Sequence, residues 1–260
     1  MIRNYHTHTK RCGHAIGLDE EYVLSAISNG YVELGFSDHI SHDNVEQNEE
    51  YIQSIQQLKE KYKDQIDIKI AFECEYVEER IPYYQQLLKE KKVDYLIFGN
   101  HYAFVNQKRI DFCTYPITKE AFSIYYETLK KALDSHLFQY ICHPDCFLKG
   151  YQKWDEHTIA LTHKIASLLS KYDCYVELSG SGSRSRSCFE YNGECVPPYP
   201  FGPFFKILSQ YPLKFVLGAD AHAPEQLNDF GTQFIKDMAK KLNLNVVEKI
   251  NFNKGEKSNG

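Results

Sequence analysis

Two histidines one residue apart, His6-Thr7-His8, point to the same side of an extended chain and are close enough to chelate one ion. Near the far end, Asp220-Ala221-His222 repeats that spacing with a carboxylate and an imidazole. Between them, Phe72-Glu73-Cys74-Glu75-Tyr76 offers carboxylates, and a carboxylate at a strand end can bridge two cations with one oxygen to each. Glu73 is the candidate bridge and Glu75 the competing ligand, because period-2 alternation puts both on one side of a continuing strand. His101 and His143 each follow an apolar run, His14 stands in a loop after Gly13, and His39 follows Asp38. Each has a plainer reading when taken singly: His14 as a solvent-exposed side chain, His39 as a partner of Asp38, His101 and His143 as packing residues, and Asp220 as a helix cap. Taken together they are seven of the chain's eleven histidines, combined with carboxylates, a donor mixture that suits zinc, manganese and iron alike.

The elements that would have to position these residues can be read from periodicity. Short β-branched or aromatic runs predict strands over Ile2–His6, Val32–His39, Ile68–Glu73, Val93–Gly99, Phe138–His143, Cys174–Leu178 and Lys214–Asp220. Helical spacing recurs among Tyr51, Ile52, Ile55 and Leu58, among Phe122, Tyr125, Leu129 and Ala132, and among Ile165, Ala166, Leu168 and Leu169. Seven strand and helix units joined by right-handed crossovers suggest a closed parallel (β/α) barrel, while an open doubly wound sheet fits the same alternation. On these strands His6, His8, Asp38, His39, Glu73, His101, His143 and Asp220 all fall at or just beyond carboxyl ends. In a parallel barrel those ends share one face, where active sites are built.

Composition narrows the function class. Thirty Lys plus Arg against thirty-five Asp plus Glu leave a net charge of −5, so no global basic field gathers nucleic acid. No run approaches the roughly 18 apolar residues of a membrane span. Met1 leads into a strand-like stretch and not a signal segment, which makes the cytosol the expected address. On that expectation the eight cysteines, Cys12, Cys74, Cys113, Cys142, Cys146, Cys174, Cys188 and Cys195, read as reduced thiols, most of them buried small hydrophobes. Residues 1–250 read as a single barrel domain. The tail from Asn251 to Gly260 holds little to bury and is expected to fray, and the Ser-, Gly- and Pro-rich stretch from Ser179 to Pro203 is a long loop of the kind that carries function. No serine nucleophile elbow is present, and Gly180-Ser181-Gly182 lacks the Gly-Lys-Ser/Thr continuation of a Walker loop.

In order, His6-x-His8, His14, Ser37-Asp38-His39, Glu73, His101, His143-Pro144-Asp145 and Gly218-Ala219-Asp220-Ala221-His222 resemble the motif series of the polymerase and histidinol phosphatase (PHP) family, its histidinol-phosphatase branch most closely. The resemblance spans nearly the whole chain. It implies a distorted seven-stranded, TIM-like (β/α) barrel with up to three divalent ions, zinc, manganese or iron, at the carboxyl ends of the strands. Carried over by position, one ion takes His6, His8, Glu73 and Asp220, a second takes Glu73, His101 and His143, and a third takes His14, His39 and His222. Asp38 and Asp145 would then fix the imidazoles beside them.

Such a cluster concentrates positive charge in an acidic protein and suits a phosphate dianion. A hydroxide bridging two ions is a nucleophile near neutral pH, which describes phosphoester hydrolysis without a covalent enzyme intermediate. The stretch Glu177-Leu178-Ser179-Gly180-Ser181-Gly182-Ser183-Arg184 resembles the branch's substrate loop and makes Arg184 the expected phosphate clamp, with Arg186 the register alternative. Pro198-Tyr199-Pro200 also resembles the branch's pattern, which implies Tyr199 as a pocket wall, and His42, three residues after His39, is the candidate leaving-group acid or substrate contact. The implied activity is metal-dependent hydrolysis of a small phosphate monoester, most concretely L-histidinol phosphate in histidine biosynthesis. The alternatives are another phosphoesterase, acting on nucleotides or oligonucleotide ends, and a non-catalytic metal or phosphate sensor. Oligomeric state has no signature in the chain.

Overall fold

A computed structural model describes residues 2–41 and 43–252. Seven parallel strands form one sheet: β1 (Ile2–Asn4), β2 (Tyr31–His39), β3 (Asp67–Cys74), β4 (Tyr95–Phe98), β7 (Tyr140–Ile141), β8 (Tyr175–Ser179) and β11 (Lys214–Gly218). They neighbour one another strictly in chain order. A doubly wound sheet reverses its order at a switch point, so the order selects the barrel. The helices α1 (Asp19–Ser28), α2 (Val45–Lys61), α3 (Ile81–Lys89), α4 (Ala121–Asp134), α5 (Leu148–Tyr151), α6 (Glu156–Leu169), α7 (Gly202–Leu208) and α8 (Phe230–Lys241) complete a distorted TIM-like (β/α) barrel. The helical spacings read from the sequence mark the buried faces of α2, α4 and α6.

Alternation along each strand sorts side chains into two cores. Leu34 and Phe36 of β2, Ile68, Ile70 and Phe72 of β3, Leu96 and Phe98 of β4, and Val176 and Leu178 of β8 pack outward against the helices. The inward set is different: Ala71, Tyr95, Ile97, Tyr140, Tyr175 and Val216 fill the interior with Tyr5 and Ile250. Both faces are therefore buried, as a parallel sheet requires.

The barrel closes incompletely between β1 and β11. Thr7 and Ala221 form one isolated parallel bridge beyond the strand ends, with His8 N donating to Ala221 O at 2.9 Å. Lower down, the Asn4 side chain substitutes for a ladder, Oδ1 accepting from Ala219 N at 2.7 Å and Nδ2 donating to Thr7 Oγ1 at 2.7 Å. At the opposite end the C-terminal segment crosses the barrel floor, where Ile250 is buried and Phe252 stacks on Tyr95 with ring centroids 4.0 Å apart. The tail expected to fray from Asn251 is thus packed as far as Phe252, and 253–260 lie outside the described residues.

Two hairpins are absent from the sequence reading. β5 (Tyr102–Val105) and β6 (Lys108–Asp111) turn at Asn106-Gln107, both at positive φ, 49° and 64°, the geometry of the mirror-image turns that match strand twist. β9 (Phe189–Tyr191) and β10 (Glu194–Val196) lie inside the long loop, stapled by a Cys188–Cys195 disulfide with Cα atoms 5.5 Å apart. This corrects the reading of all eight thiols as reduced: the flanks of a tight antiparallel hairpin bring two cysteines within bonding reach, which spacing along the chain does not reveal. The aromatic contacts of Phe201 with Trp154, Phe189 and Tyr191 pack that hairpin down. Among the described residues no helix is long and apolar enough to cross a membrane.

Candidate metal centre

The carboxyl ends of the strands surround a cavity of about 590 Å³ whose wall includes His8, His14, His39, Glu73, His101, His143, Asp220 and His222. His6 lies beneath it, fully buried. Glu73 is the hub. Its Oε2 lies 3.3 Å from His6 Nε2, 3.3 Å from His8 Nε2 and 3.3 Å from His39 Nδ1. Its Oε1 lies 3.0 Å from His143 Nε2 and 3.4 Å from His101 Nε2. Asp220 Oδ1 joins the first group, 3.3 Å from His8 Nε2 and 3.7 Å from His6 Nε2. His14, His39 and His222 place donor atoms within 4.8 Å of one another, as do His6, His8 and Asp220. All nine residues proposed from the sequence as ligands therefore stand around one mouth, and His39 falls in two groups, with His14 and His222 and with His8 and Glu73.

Local backbone distortion aims two of them. His143 and Asp220 sit at φ 26° and 46°, a region that costs a residue with a side chain on the order of 1–3 kcal/mol and that persists where surrounding structure holds it. The kink lets His143 turn inward although its neighbour Cys142 already does. Cys142 Sγ reaches 3.0 Å from Glu73 Oε1. Glycines clear the space: a Cβ at Gly99 would collide with Glu73 and His101, and one at Gly218 with Glu177 and Tyr140.

A ring of orienting groups stands behind the cluster. Glu177 Oε1 takes His6 Nδ1 at 2.8 Å and Tyr140 OH at 2.8 Å, while its Oε2 accepts from His143 N at 3.0 Å. Glu75, weighed from the sequence as a rival to Glu73, instead holds His101 Nδ1 at 2.9 Å. Asp38 does not reach the ring of its neighbour His39: its Oδ1 accepts from His39 N at 3.0 Å and lies 3.5 Å from His8 Nδ1, and its other oxygen accepts from Thr9. Asp145 takes a different part. Its Oδ2 accepts from Phe201 N at 2.7 Å, so it anchors the chain leading into α7, and no bond to an imidazole is found among the described residues. The sequence signal for Glu177 was its inward register on β8, two residues after Tyr175.

The charges explain why this arrangement needs cations. Burial alone would keep His6 neutral, but Glu177, Asp220 and Glu73 outweigh it and push its pKa up to about 10. His101 reaches about 10 in the same way, burial being overcome by Glu73 and Glu75. Burial pushes His39 down to about 4 and His222 down to about 3, reinforced by neighbouring imidazoles. Glu73 and Asp220 are buried too, yet the imidazoles around them hold both carboxyls well below the usual range. The donor chemistry fits divalent ions. Once His6 gives up its second proton, with its Nδ1–H given to Glu177, it presents a lone pair at Nε2 toward His8 Nε2 at 3.0 Å and two carboxylate oxygens. Acceptors crowded in this way repel one another unless a cation sits among them.

The substrate-loop expectations divide. Tyr199 lines the cavity with its ring 5.7 Å from that of His143. Arg184 also lies at the cavity, but the clamp expected of it is spent elsewhere. Nε and Nη2 form a fork on Asp229 at 2.7 and 2.9 Å, Nη1 donates to Ala219 O at 2.7 Å and Nη2 to Gln226 O at 2.9 Å. Asp229 is in turn the N-cap of α8, so Arg184 ties the loop to that helix and to the end of β11. Arg186 is exposed and does not line the cavity, and His42 lies outside the described residues. The cations that sequence reasoning missed are Arg109, its guanidinium 3.9 Å above the Tyr102 ring on the β5–β6 hairpin, and Lys149 of α5; both line the mouth.

Comparison with known proteins agrees with this geometry. A "Probable histidinol-phosphatase" of Deinococcus radiodurans is 24% identical over 235 residues, covering 85% of this chain and 86% of that protein. A "Probable histidinol-phosphatase" of Schizosaccharomyces pombe is 30% identical over 125 residues, 41% of this chain and 40% of its own. The crystal structure of histidinol phosphate phosphatase from Lactococcus lactis, complexed with zinc, L-histidinol and phosphate, shares the fold with a TM-score of 0.71 at 18% identity, over 95% of each chain. The family model of the PHP domain matches residues 4–181, and the chain belongs to that family.

Proposed function

We propose that this chain is a metal-dependent phosphomonoesterase acting on L-histidinol phosphate, releasing L-histidinol and inorganic phosphate, and that it works in histidine biosynthesis in the cytosol. The observation that carries the reading is the division of Glu73, one oxygen toward His6, His8 and His39 and the other toward His101 and His143. The names of the relatives and the ligands of the Lactococcus lactis structure support the choice of substrate.

His6, His8, Glu73 and Asp220 would hold one divalent ion, Glu73, His101 and His143 a second, and His14, His39 and His222 a third. When bound, such ions supply Lewis acidity, water activated near neutral pH, and neutralisation of charge on a transferring phosphoryl group. The protein's own residues do the remainder. Glu177 and Glu75 hold imidazoles in the tautomer that presents a lone pair inward, and Asp38 stands beside His8. Tyr199 walls the cavity beside His143. Lys149 and Arg109 provide cationic N–H donors at the rim, where phosphate oxygens would arrive. Stacking on Tyr102 and a 3.2 Å bond to Asp111 restrict the Arg109 fork before substrate comes. His42 is assigned to protonate the departing alkoxide.

The test is phosphate release by zinc- or manganese-loaded protein from L-histidinol phosphate, compared with sugar phosphates, nucleotides and a diester. A preference of about a hundredfold, roughly 2.7 kcal/mol of differential transition-state binding, is expected. A flat profile would remove the pathway, and no release from metal-loaded protein would remove the enzyme.

A further inference from the structure

The loop after β1 carries a third pair of donors separated by one residue, of which the proposed ligand sets use only the histidine. His6-x-His8 and Asp220-x-His222 present their donors across one intervening residue, and Cys12-Gly13-His14 has the same spacing. Cys12 and His14 are not on a strand. Cys12 ends a single 3-10 turn, Lys10–Cys12, and Gly13 closes it at φ 82°, its N–H bonded to Lys10 O at 3.1 Å. A Cβ at Gly13 would meet nothing within 4 Å, so the glycine serves the left-handed backbone and not a close approach. The consequence is that residue 14 folds back over residue 12. His14 Nδ1 lies 2.9 Å from Cys12 O, and the Cys12 thiol is in contact with the His14 ring.

The thiol arrives among imidazoles. His8, Cys12 and His222 place donor atoms within 4.8 Å of one another, and so do His14, His39 and His222. The two groups interlock through His222, whose ring lies 4.3 Å from that of His8 and 4.6 Å from that of His14. Three other thiols stand elsewhere at the mouth: Cys142 on the floor of the cluster beside Glu73 Oε1, and Cys113 and Cys146 on the cavity wall.

We propose that Cys12 is a thiolate ligand, joining His14, His39 and His222 in a three-nitrogen, one-sulfur set for a single divalent ion. The inference rests on the mouth being a metal centre and deepens that reading. Three protein donors leave an ion with an open position, whereas four close a tetrahedron, as in structural zinc sites. A thiolate also selects zinc over manganese at this position, while the carboxylate-rich positions discriminate less. When the ion binds, the sulfur lone pair displaces a water ligand and the S–H proton passes to solvent, so loading this position releases one proton from Cys12.

The experiment is titration of the metal-free, full-length chain with cobalt(II), read by absorption. The expected spectrum has visible d–d bands from nitrogen and oxygen ligands and a near-ultraviolet sulfur-to-cobalt charge-transfer band. That band should survive Cys142→Ser and vanish in Cys12→Ser. In Cys12→Ser the d–d bands should persist, and zinc at one position should weaken by at least the roughly tenfold that loss of even an outer-sphere partner costs. Cobalt bound with no charge-transfer band in the wild-type chain would overturn the proposal and leave the metal centre standing. A band that outlasts Cys12→Ser would do the same. No cobalt bound at all would overturn the metal centre and this proposal with it. The wild-type spectrum requires no substitution, so a variant that failed to fold would not spare the proposal.

Discussion

The two ends of the barrel use the same strands for opposite purposes. At the floor, Tyr5, Tyr95, Tyr140, Tyr175 and Ile250 fill the interior, with Phe252 stacked against Tyr95. Polar groups there are paired within the protein: Tyr95 OH donates to Tyr5 O at 2.6 Å, and Tyr5 OH accepts from Ile250 N at 3.2 Å. At the mouth, imidazoles and carboxylates crowd at 3.0–3.7 Å, nitrogen against nitrogen as well as nitrogen against oxygen. His8 Nδ1 and His143 Nδ1 are buried there without a hydrogen-bond partner among the described residues. The floor is complete as protein, and the mouth becomes complete only with cations. Glu177 joins the two, since one oxygen serves both Tyr140 below and His6 above.

Substitutions at the two ends should therefore separate activity from stability. The largest effect is expected from Glu73→Gln, which removes the charge that both groups of imidazoles share. Turnover should fall by on the order of 10³-fold or more, about 4 kcal/mol of transition-state stabilisation, with loss of bound metal by elemental analysis. Retained turnover would remove Glu73 from the centre. Ile250→Ala at the floor should do the reverse, costing about 2–5 kcal/mol in urea unfolding through the cavity it leaves, with kcat unchanged in the fraction that is folded. Glu177→Gln lies between the ends and should show both effects in small measure. Zinc affinity should drop roughly 10–100-fold, as for other outer-sphere carboxylates, and the metal-free protein should lose on the order of 1 kcal/mol through the weaker bond to Tyr140. A Glu177→Gln protein with wild-type zinc affinity would mean that His6 needs no orientation.

What the sequence revealed divides along the same line. Donor pairs one residue apart, and carboxylates or imidazoles at strand ends, are local patterns, and the mouth was legible from them. So were all seven barrel strands, because a strand buried on both faces is a short run of β-branched and aromatic residues. Pairings between distant segments left no such mark. Arg184 looked free for phosphate because Asp229, its partner, stands 45 residues away. Glu75 and Glu73 shared one inward register, and only the position of His101 separates the orienting carboxylate from the bridging one. The choice between a barrel and an open sheet turned on the order in which the strands pair, which no single strand displays. The Asn106-Gln107 turn lacks the glycine that usually announces a mirror-image hairpin.

The smallest effect is a slope, and it tests whether cations complete the mouth. In the metal-free protein His6 and His101 have folded pKa values of about 10, above the 6.5 of an unfolded imidazole. Between pH 6.5 and 10 the folded state keeps protons that the unfolded state has released, so stability falls as pH rises through that window. His39 and His222, at about 4 and about 3, act in the other direction: as pH drops below 6.5 the unfolded imidazoles take up protons that the folded state refuses, and stability falls again. Glu73 and Asp220, held below their usual range, steepen that acid side. The floor adds no slope, because burial pushes the Tyr5, Tyr95 and Tyr140 phenols further above their ordinary value. Chelator-treated protein should thus have its highest Tm near pH 6.5 and lose stability on both sides. Zinc-loaded protein should lose the alkaline decline, since ions replace the protons on His6 and His101 and compete better as pH rises. If the decline above pH 6.5 persisted with zinc bound, the imidazoles would still be carrying protons and the ions would have to lie elsewhere.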